Sequence, residues 1–157
     1  MNHQMNTRSV LSLSAGVAGV ASADTHTVAI DCLGYDSLTI DVGVRQLATV
    51  GAPSVVALRA ADADAATSYA TISGLIQGTD YTIAAVTNTA VVNITRFEVG
   101  STKALGRFVQ VRVTPNAGAS ANGTNNDVVV AARLGKAEVG IDSASDANVT
   151  TRVVYGG

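Results

Sequence analysis

The sequence predicts an all-β fold, either a sandwich or a barrel. Three observations support this prediction. Apolar residues alternate with polar ones along several stretches, as in strands with one buried face. Short turn sequences separate these stretches, for example at residues 33–36 and 78–80. Only residues 60–66 and 72–76 could be helical, and both are too short to be stable as free helices.

Four strands are predicted with a clean period of two. In residues 37–44, Leu38, Ile40, Val42 and Val44 share one face. The other three such strands are residues 25–32, 108–114 and 127–134. Five weaker candidates are residues 9–13, 54–60, 81–86, 91–99 and 150–155. The sequence therefore predicts about nine short strands in one domain.

The predicted organisation is a β-domain with two arms. Residues 1–8 are polar and non-periodic, and they are expected to form an extended N-terminal arm. The β-domain is expected to span residues 9–136 and to contain a Gly-, Ala- and Asn-rich loop at 115–126. Residues 137–157 are expected to form a C-terminal arm whose last strand completes its own sheet or pairs with the sheet of a neighbouring copy.

The composition argues against several classes of protein. A net charge of −2 is too small to predict nucleic acid or a membrane surface as partner. No stretch approaches the ~20 apolar residues of a transmembrane helix. Residues 10–23 weakly resemble a signal peptide, but Ser and Gly interrupt the apolar run, and we expect the segment to stay in the chain. Many core candidates are Ala or Val, so burial between copies is expected to supplement a shallow core.

The sequence offers no catalytic, cofactor-binding or metal-binding set. The histidines are His3 and His26, and the single cysteine, Cys32, lies six residues from His26, about 20 Å along a strand. Two acidic turns, at 62–64 and 142–146, lack the ligand pattern of a calcium loop. We therefore predict a non-enzymatic protein without cofactors.

Charged residues are distributed unevenly along the chain. Most aspartates lie in the first half, and six cations lie after residue 100: Lys103, Arg107, Arg112, Arg133, Lys136 and Arg152. If early and late strands lay on different faces, the molecule would have a charge polarity suited to directed docking. The alternative is that these residues are ordinary solvated charges at strand rims.

Residues 31–40 read Asp-Cys-Leu-Gly-Tyr-Asp-Ser-Leu-Thr-Ile, a turn that leads into an apolar strand. This segment resembles a broad group of small virion proteins of tailed bacteriophages. Similar turn-and-strand motifs follow at residues 56–64, 69–75, 106–114 and 127–135, so the resemblance covers about residues 9–136. The long loop at 115–126 and the segment after Lys136 depart from that pattern.

The resemblance implies an antiparallel β-sandwich of the jelly-roll kind. It also implies a capsid decoration, or cement, protein that is made in the host cytoplasm and binds the major capsid protein on the virion surface as a dimer or trimer. A head–tail junction or head-fibre base protein is the alternative within the same class. A carbohydrate-binding sandwich is a further alternative, which six aromatic residues in total make less favourable.

Overall fold

The computed structural model describes residues 8–12, 25–46, 53, 55–85, 88, 91–100, 102, 105–115, 126–135 and 149–155. These residues form nine strands: β1 (Arg8–Ser12), β2 (His26–Asp31), β3 (Ser37–Arg45), β4 (Val55–Ala61), β5 (Ala70–Thr71), β6 (Asn93–Val99), β7 (Phe108–Thr114), β8 (Asp127–Gly135) and β9 (Val149–Tyr155). The described ranges contain no helix long and apolar enough to cross a membrane.

The strands form two sheets packed face to face. One sheet has five strands in the order β1-β8-β3-β6-β9, and the other has four in the order β2-β7-β4-β5. The pairs β1·β8, β2·β7, β3·β6 and β4·β5 are all antiparallel. The chain therefore folds back on itself about the β4–β5 connection, with each later strand pairing with an earlier one. This nested order is the jelly roll of two Greek keys, and the predicted jelly-roll sandwich is confirmed.

The core lies between the two sheets and follows the predicted alternation. The five-stranded sheet contributes Leu38, Ile40, Val42 and Val44 from β3, all at most 1% exposed. The facing side chains of the other sheet include Val56, Leu58, Val109, Val111 and Val113. Phe97 is the largest fully buried side chain, and Tyr81 packs its ring edge-on against it, with 5.5 Å between ring centroids.

Eight of the nine predicted strands are present, with boundaries shifted by at most two residues. The predicted strand at 81–86 is wrong for its described residues, because Tyr81 forms only an isolated bridge with Gln77 and residues 82–85 form no strand. The short strand β5 was not predicted, since two residues show no periodicity. Neither 60–66 nor 72–76 is helical: 60–61 end β4, and 72–76 form turns.

Residues 72–85 cross from one sheet to the other instead of forming a strand. On the side of β4 where no strand pairs with Val56, side chains of this segment form hydrogen bonds with the β4 backbone instead. The Val56 N–H donates to Oε1 of Gln77 at 2.7 Å, and the Tyr81 hydroxyl donates to the Val56 carbonyl. Further along, the Ala84 N–H donates to Oγ1 of Thr151 in β9 at 2.9 Å. The segment therefore closes one side of the sandwich.

The first and last described strands both pair within the five-stranded sheet, as the sequence predicted for one of two possible positions of the last strand. β1 begins at Arg8, one residue inside the predicted N-terminal arm, and pairs with β8. β9 falls in the predicted C-terminal arm and is an edge strand of the five-stranded sheet, beside β6. The predicted arm residues 1–7, 137–148 and 156–157, and the loop residues 116–125, lie outside the described residues.

Candidate functional site

Cys32 belongs to the hydrophobic core, whereas His26 is only half-buried and is not part of the core cluster. Cys32 is 4% exposed, and burial raises the pKa of its thiol to about 11, so it is protonated at neutral pH. Its Sγ donates to the Ile30 carbonyl at 3.7 Å. His26 is half-buried on the same face, and its Nε2 has no hydrogen-bond partner within the described part of the chain. His3 lies outside the described residues.

The acidic turn after β4 is exposed and serves local structure. Asp64 accepts a hydrogen bond from the hydroxyl of the buried Tyr69 at 2.7 Å. Burial and this carboxylate raise the pKa of Tyr69 to about 12. Within the described ranges, no group of three or more His, Cys, Asp or Glu side chains could hold a metal ion. The second acidic turn, at 142–146, lies outside those ranges.

All six aromatic residues are described, and none is an exposed platform. Phe97 and Tyr69 are buried, whereas Tyr35, Tyr81, Phe108 and Tyr155 are half-buried. Phe108 points to the outside of the four-stranded sheet, where the Arg107 guanidinium lies 4.8 Å from its ring centroid. The rings are therefore dispersed over the molecule rather than clustered on one exposed surface.

The outer face of the five-stranded sheet carries charges that neutralise one another. Asp41 and Arg96 are directly opposite on β3 and β6, and they form a two-pronged ion pair with N–O distances of 2.6 and 2.8 Å. This hydrogen bonding raises the pKa of Arg96. Arg45 and Asp127 form a second cross-strand pair, on β3 and β8. Arg133 of β8 is exposed on the same face and has no ion pair among the described residues.

The hypothesis of a charge polarity between early and late strands is wrong for these residues. Asp41 pairs with Arg96, and at the rim Asp31 pairs with Arg107, with N–O distances of 3.0 and 2.7 Å. Both pairs join an acid from the first half with a cation from the second half. Jelly-roll pairing places strands from both halves of the chain in each sheet, so these acids and cations lie side by side.

The outer face of the four-stranded sheet is different. One cross-strand row consists of Ala29, Gln110 and Arg59, and the next of Thr27, Arg112 and Ala57. Arg59 donates to the Tyr69 carbonyl. Arg112 is exposed and forms no ion pair within the described part of the chain. The Oε1 of Gln110 is buried and accepts no hydrogen bond from described residues.

The outer face of the four-stranded sheet thus combines small side chains with an exposed arginine that has no ion pair among the described residues. The unsatisfied Oε1 of Gln110 is covered by the chain's own atoms. The alternation in residues 108–114 predicted that Gln110 and Arg112 point away from the core. It did not predict the burial of Gln110, because that depends on side chains from β2 and β4.

Comparisons with models of protein families, with curated proteins and with solved structures found no match to this chain.

Proposed function

We propose that this protein is a capsid decoration, or cement, protein of a tailed bacteriophage. It binds the major capsid shell from outside and stabilises the head by bridging neighbouring subunits. The observation that carries the proposal is the nested strand order, with β1-β8-β3-β6 facing β2-β7-β4-β5. This order is found in viral capsid domains, lectins and cupins. Because a fold alone does not define function, the properties of the protein surface are needed to distinguish among these classes of protein.

The dispersed aromatic rings argue against the lectin-like alternative. Carbohydrate sites usually stack sugar rings on exposed aromatic side chains. Here Phe97 and Tyr69 are buried, and Arg107 lies over Phe108. A structural role is favoured because the outer face of the four-stranded sheet instead presents small side chains and an exposed arginine.

The proposed capsid-binding surface is the outer face of the four-stranded sheet. Arg112 is exposed and provides a cation for a carboxylate of the capsid protein. Ala29 and Ala57 allow the partner to approach the sheet closely. The outer face of the five-stranded sheet is the competing surface, because it carries an exposed arginine, Arg133, beside its two ion pairs.

Charge reversal on the two sheets tests both the function and the surface. Arg112→Glu and Arg133→Glu change exposed arginines that face outward from β7 and β8 and have no described ion pair. Each variant is mixed with purified capsids that lack the protein, and occupancy is measured by co-sedimentation. We expect Arg112→Glu to weaken binding about tenfold or more, since juxtaposed like charges cost several kcal/mol. Arg133→Glu should bind like the unmodified chain.

Each outcome has a defined meaning. If the unmodified chain does not sediment with capsids, the decoration function is wrong. If it sediments but Arg133→Glu is the weaker variant, the function stands and the proposed surface is wrong. Gel densitometry of virions then separates decoration from the alternatives. A decoration protein is present in numbers comparable to the major capsid protein, whereas a head–tail junction or head-fibre base protein is present in far fewer copies.

A further inference from the structure

The ninth strand is an addition to a jelly roll that is already complete. Strands β1–β8 form all the nested pairs among themselves, and β9 joins the free edge of β6. The β6·β9 pair is parallel, whereas the other strand pairs of the described chain are antiparallel. β9 thus binds its sheet in the way that an extended peptide adds to a sheet edge.

The groove that holds β9 has two walls, and we call it the strand groove. The first wall is the edge of β6, which pairs with β9 from Ile94 to Val99. The second wall is the crossing segment 72–85. It contributes the Ala84 N–H, which donates to Thr151, and Gly74, where a Cβ would lie 3.2 Å from the Tyr155 ring.

The strand groove recognises specific positions of β9. Val153 is 7% exposed and belongs to the core cluster, and Tyr155 packs against that cluster. The Tyr155 carbonyl accepts a hydrogen bond from the Gly100 N–H at 3.0 Å, which fixes the end of the strand. A replacement strand would therefore need a small polar residue, a valine and a tyrosine at alternate positions, as β9 has.

The chain between β8 and β9 is longer than its own groove requires. Gly135 lies opposite Ser37, and Val149 lies opposite Ile94, which itself faces Gly43. Six residues along the strands and three strand spacings across the sheet separate these points by about 25 Å. The 13 intervening residues, 136–148, reach about 45 Å when extended. The tether therefore allows β9 to reach a groove on an adjacent molecule.

We propose that β9 is exchanged between copies of this chain, so that the strand groove of one molecule binds Val149–Tyr155 of its neighbour. Exchange replaces each contact in the groove with an identical one. Only the effective concentration of the strand then decides between the two arrangements, and covalently linked binding segments reach values in the millimolar range. Copies of the chain that lie side by side on a crowded surface present their strands to one another at similar effective concentrations. Head-to-tail exchange forms a closed ring when the rotation between successive molecules permits closure.

Shortening the tether is the first test. Deleting residues 139–146 leaves five residues between β8 and β9, which reach about 20 Å and cannot span the distance within one molecule. We expect this variant to form dimers or larger oligomers by light scattering. The matched control replaces the same eight residues with glycine and serine and should stay at the mass of the unmodified chain. A monomeric deletion variant would overturn the proposal.

Disulfide trapping is the second test, and it keeps the full tether. Glu98 and Val154 lie opposite each other on β6 and β9. In a Cys32→Ala background, a chain carrying Glu98→Cys is mixed at high concentration with a chain carrying Val154→Cys and then oxidised. Strand exchange predicts a mixed disulfide dimer on a non-reducing gel. A chain carrying both substitutions should form the internal disulfide when dilute, which verifies the register.

The control for random collision uses Arg133→Cys in place of Glu98→Cys. Arg133 is exposed on the same outer face, whereas Glu98 is 6% exposed, so collision alone would favour position 133. We expect severalfold more mixed dimer with position 98, and equal or lower yield would contradict the exchange. The exchange rests on the proposed function only because attachment to a capsid would bring copies of the chain close together. Both tests use the purified chain without capsids, so they can fail while capsid binding holds, or succeed while it fails.

Discussion

Replacing Gly106 with alanine should destabilise the sandwich more than the same change at other left-handed glycines. Gly106 precedes β7 with φ of +101°, a conformation that costs an alanine about 1–2 kcal/mol. Its new Cβ would also lie 2.9 Å from the Ala61 carbonyl oxygen and 3.0 Å from Asp62 Oδ1. The Asp62 side chain can rotate away. The Ala61 carbonyl cannot, because Ala61 pairs with Phe108 between β4 and β7.

The clash adds about 1–3 kcal/mol, typical of overpacking against a fixed neighbour. We therefore expect Gly106→Ala to lower the free energy of unfolding by about 2–5 kcal/mol. Gly34→Ala is the matched control, because its φ is +83° and nothing lies within 4 Å of the added Cβ. It should lose only the conformational part, about 1–2 kcal/mol.

Urea unfolding followed by circular dichroism measures both variants against the unmodified chain. A difference of about 1–3 kcal/mol between the two alanine variants would confirm the close contact with β4. Equal losses at both positions would refute it, because the backbone conformation alone would then explain the whole effect. Gly78→Ala, also with open space around the Cβ, provides a second control.

Three further predictions concern side chains. Tyr81→Phe should lower the free energy of unfolding by about 1–2 kcal/mol, because it leaves the Val56 carbonyl without its donor. In the same urea assay, Tyr35→Phe should be nearly neutral, because the Tyr35 hydroxyl has no described hydrogen bond. A double-mutant cycle with Asp41→Asn and Arg96→Gln should give a coupling energy of about 1–2 kcal/mol, since both side chains are mostly shielded from water; additive losses would show that the pair is not coupled. Cys32 should not react with a thiol reagent at pH 8 until the protein unfolds. Because its pKa rises from 9 to about 11 on folding, stability should be full below pH 9 and fall by ~3 kcal/mol as pH rises through 11, and Cys32→Ala should lack this part of the decline.

The alternation of apolar residues determined most of the strands and the core. Leu38, Ile40, Val42 and Val44 had to share a face because side chains alternate along any strand, and the structure buries all four. The same reasoning placed Gln110 and Arg112 on the outer face of the sheet. These predictions succeed because the period of a strand depends only on its local backbone geometry.

Local sequence patterns did not predict the elements whose structure depends on contacts with distant parts of the chain. Residues 81–86 look like a strand, but Tyr81 turns its ring onto Phe97 and its hydroxyl to β4, so the segment crosses between the sheets. The two-residue strand β5 exists because β4 is beside it. Both outcomes depend on residues about 10 to 25 positions away in the chain.

The sequence by itself determined that this protein is all-β, where its main strands lie and which of their side chains point inward. Only the tertiary structure decided the nested jelly-roll order, the ion pairs between early aspartates and late arginines, and the parallel position of β9 beside β6. The physical reason is that periodicity fixes the face of each strand, whereas pairing depends on which distant strands bury the most surface together.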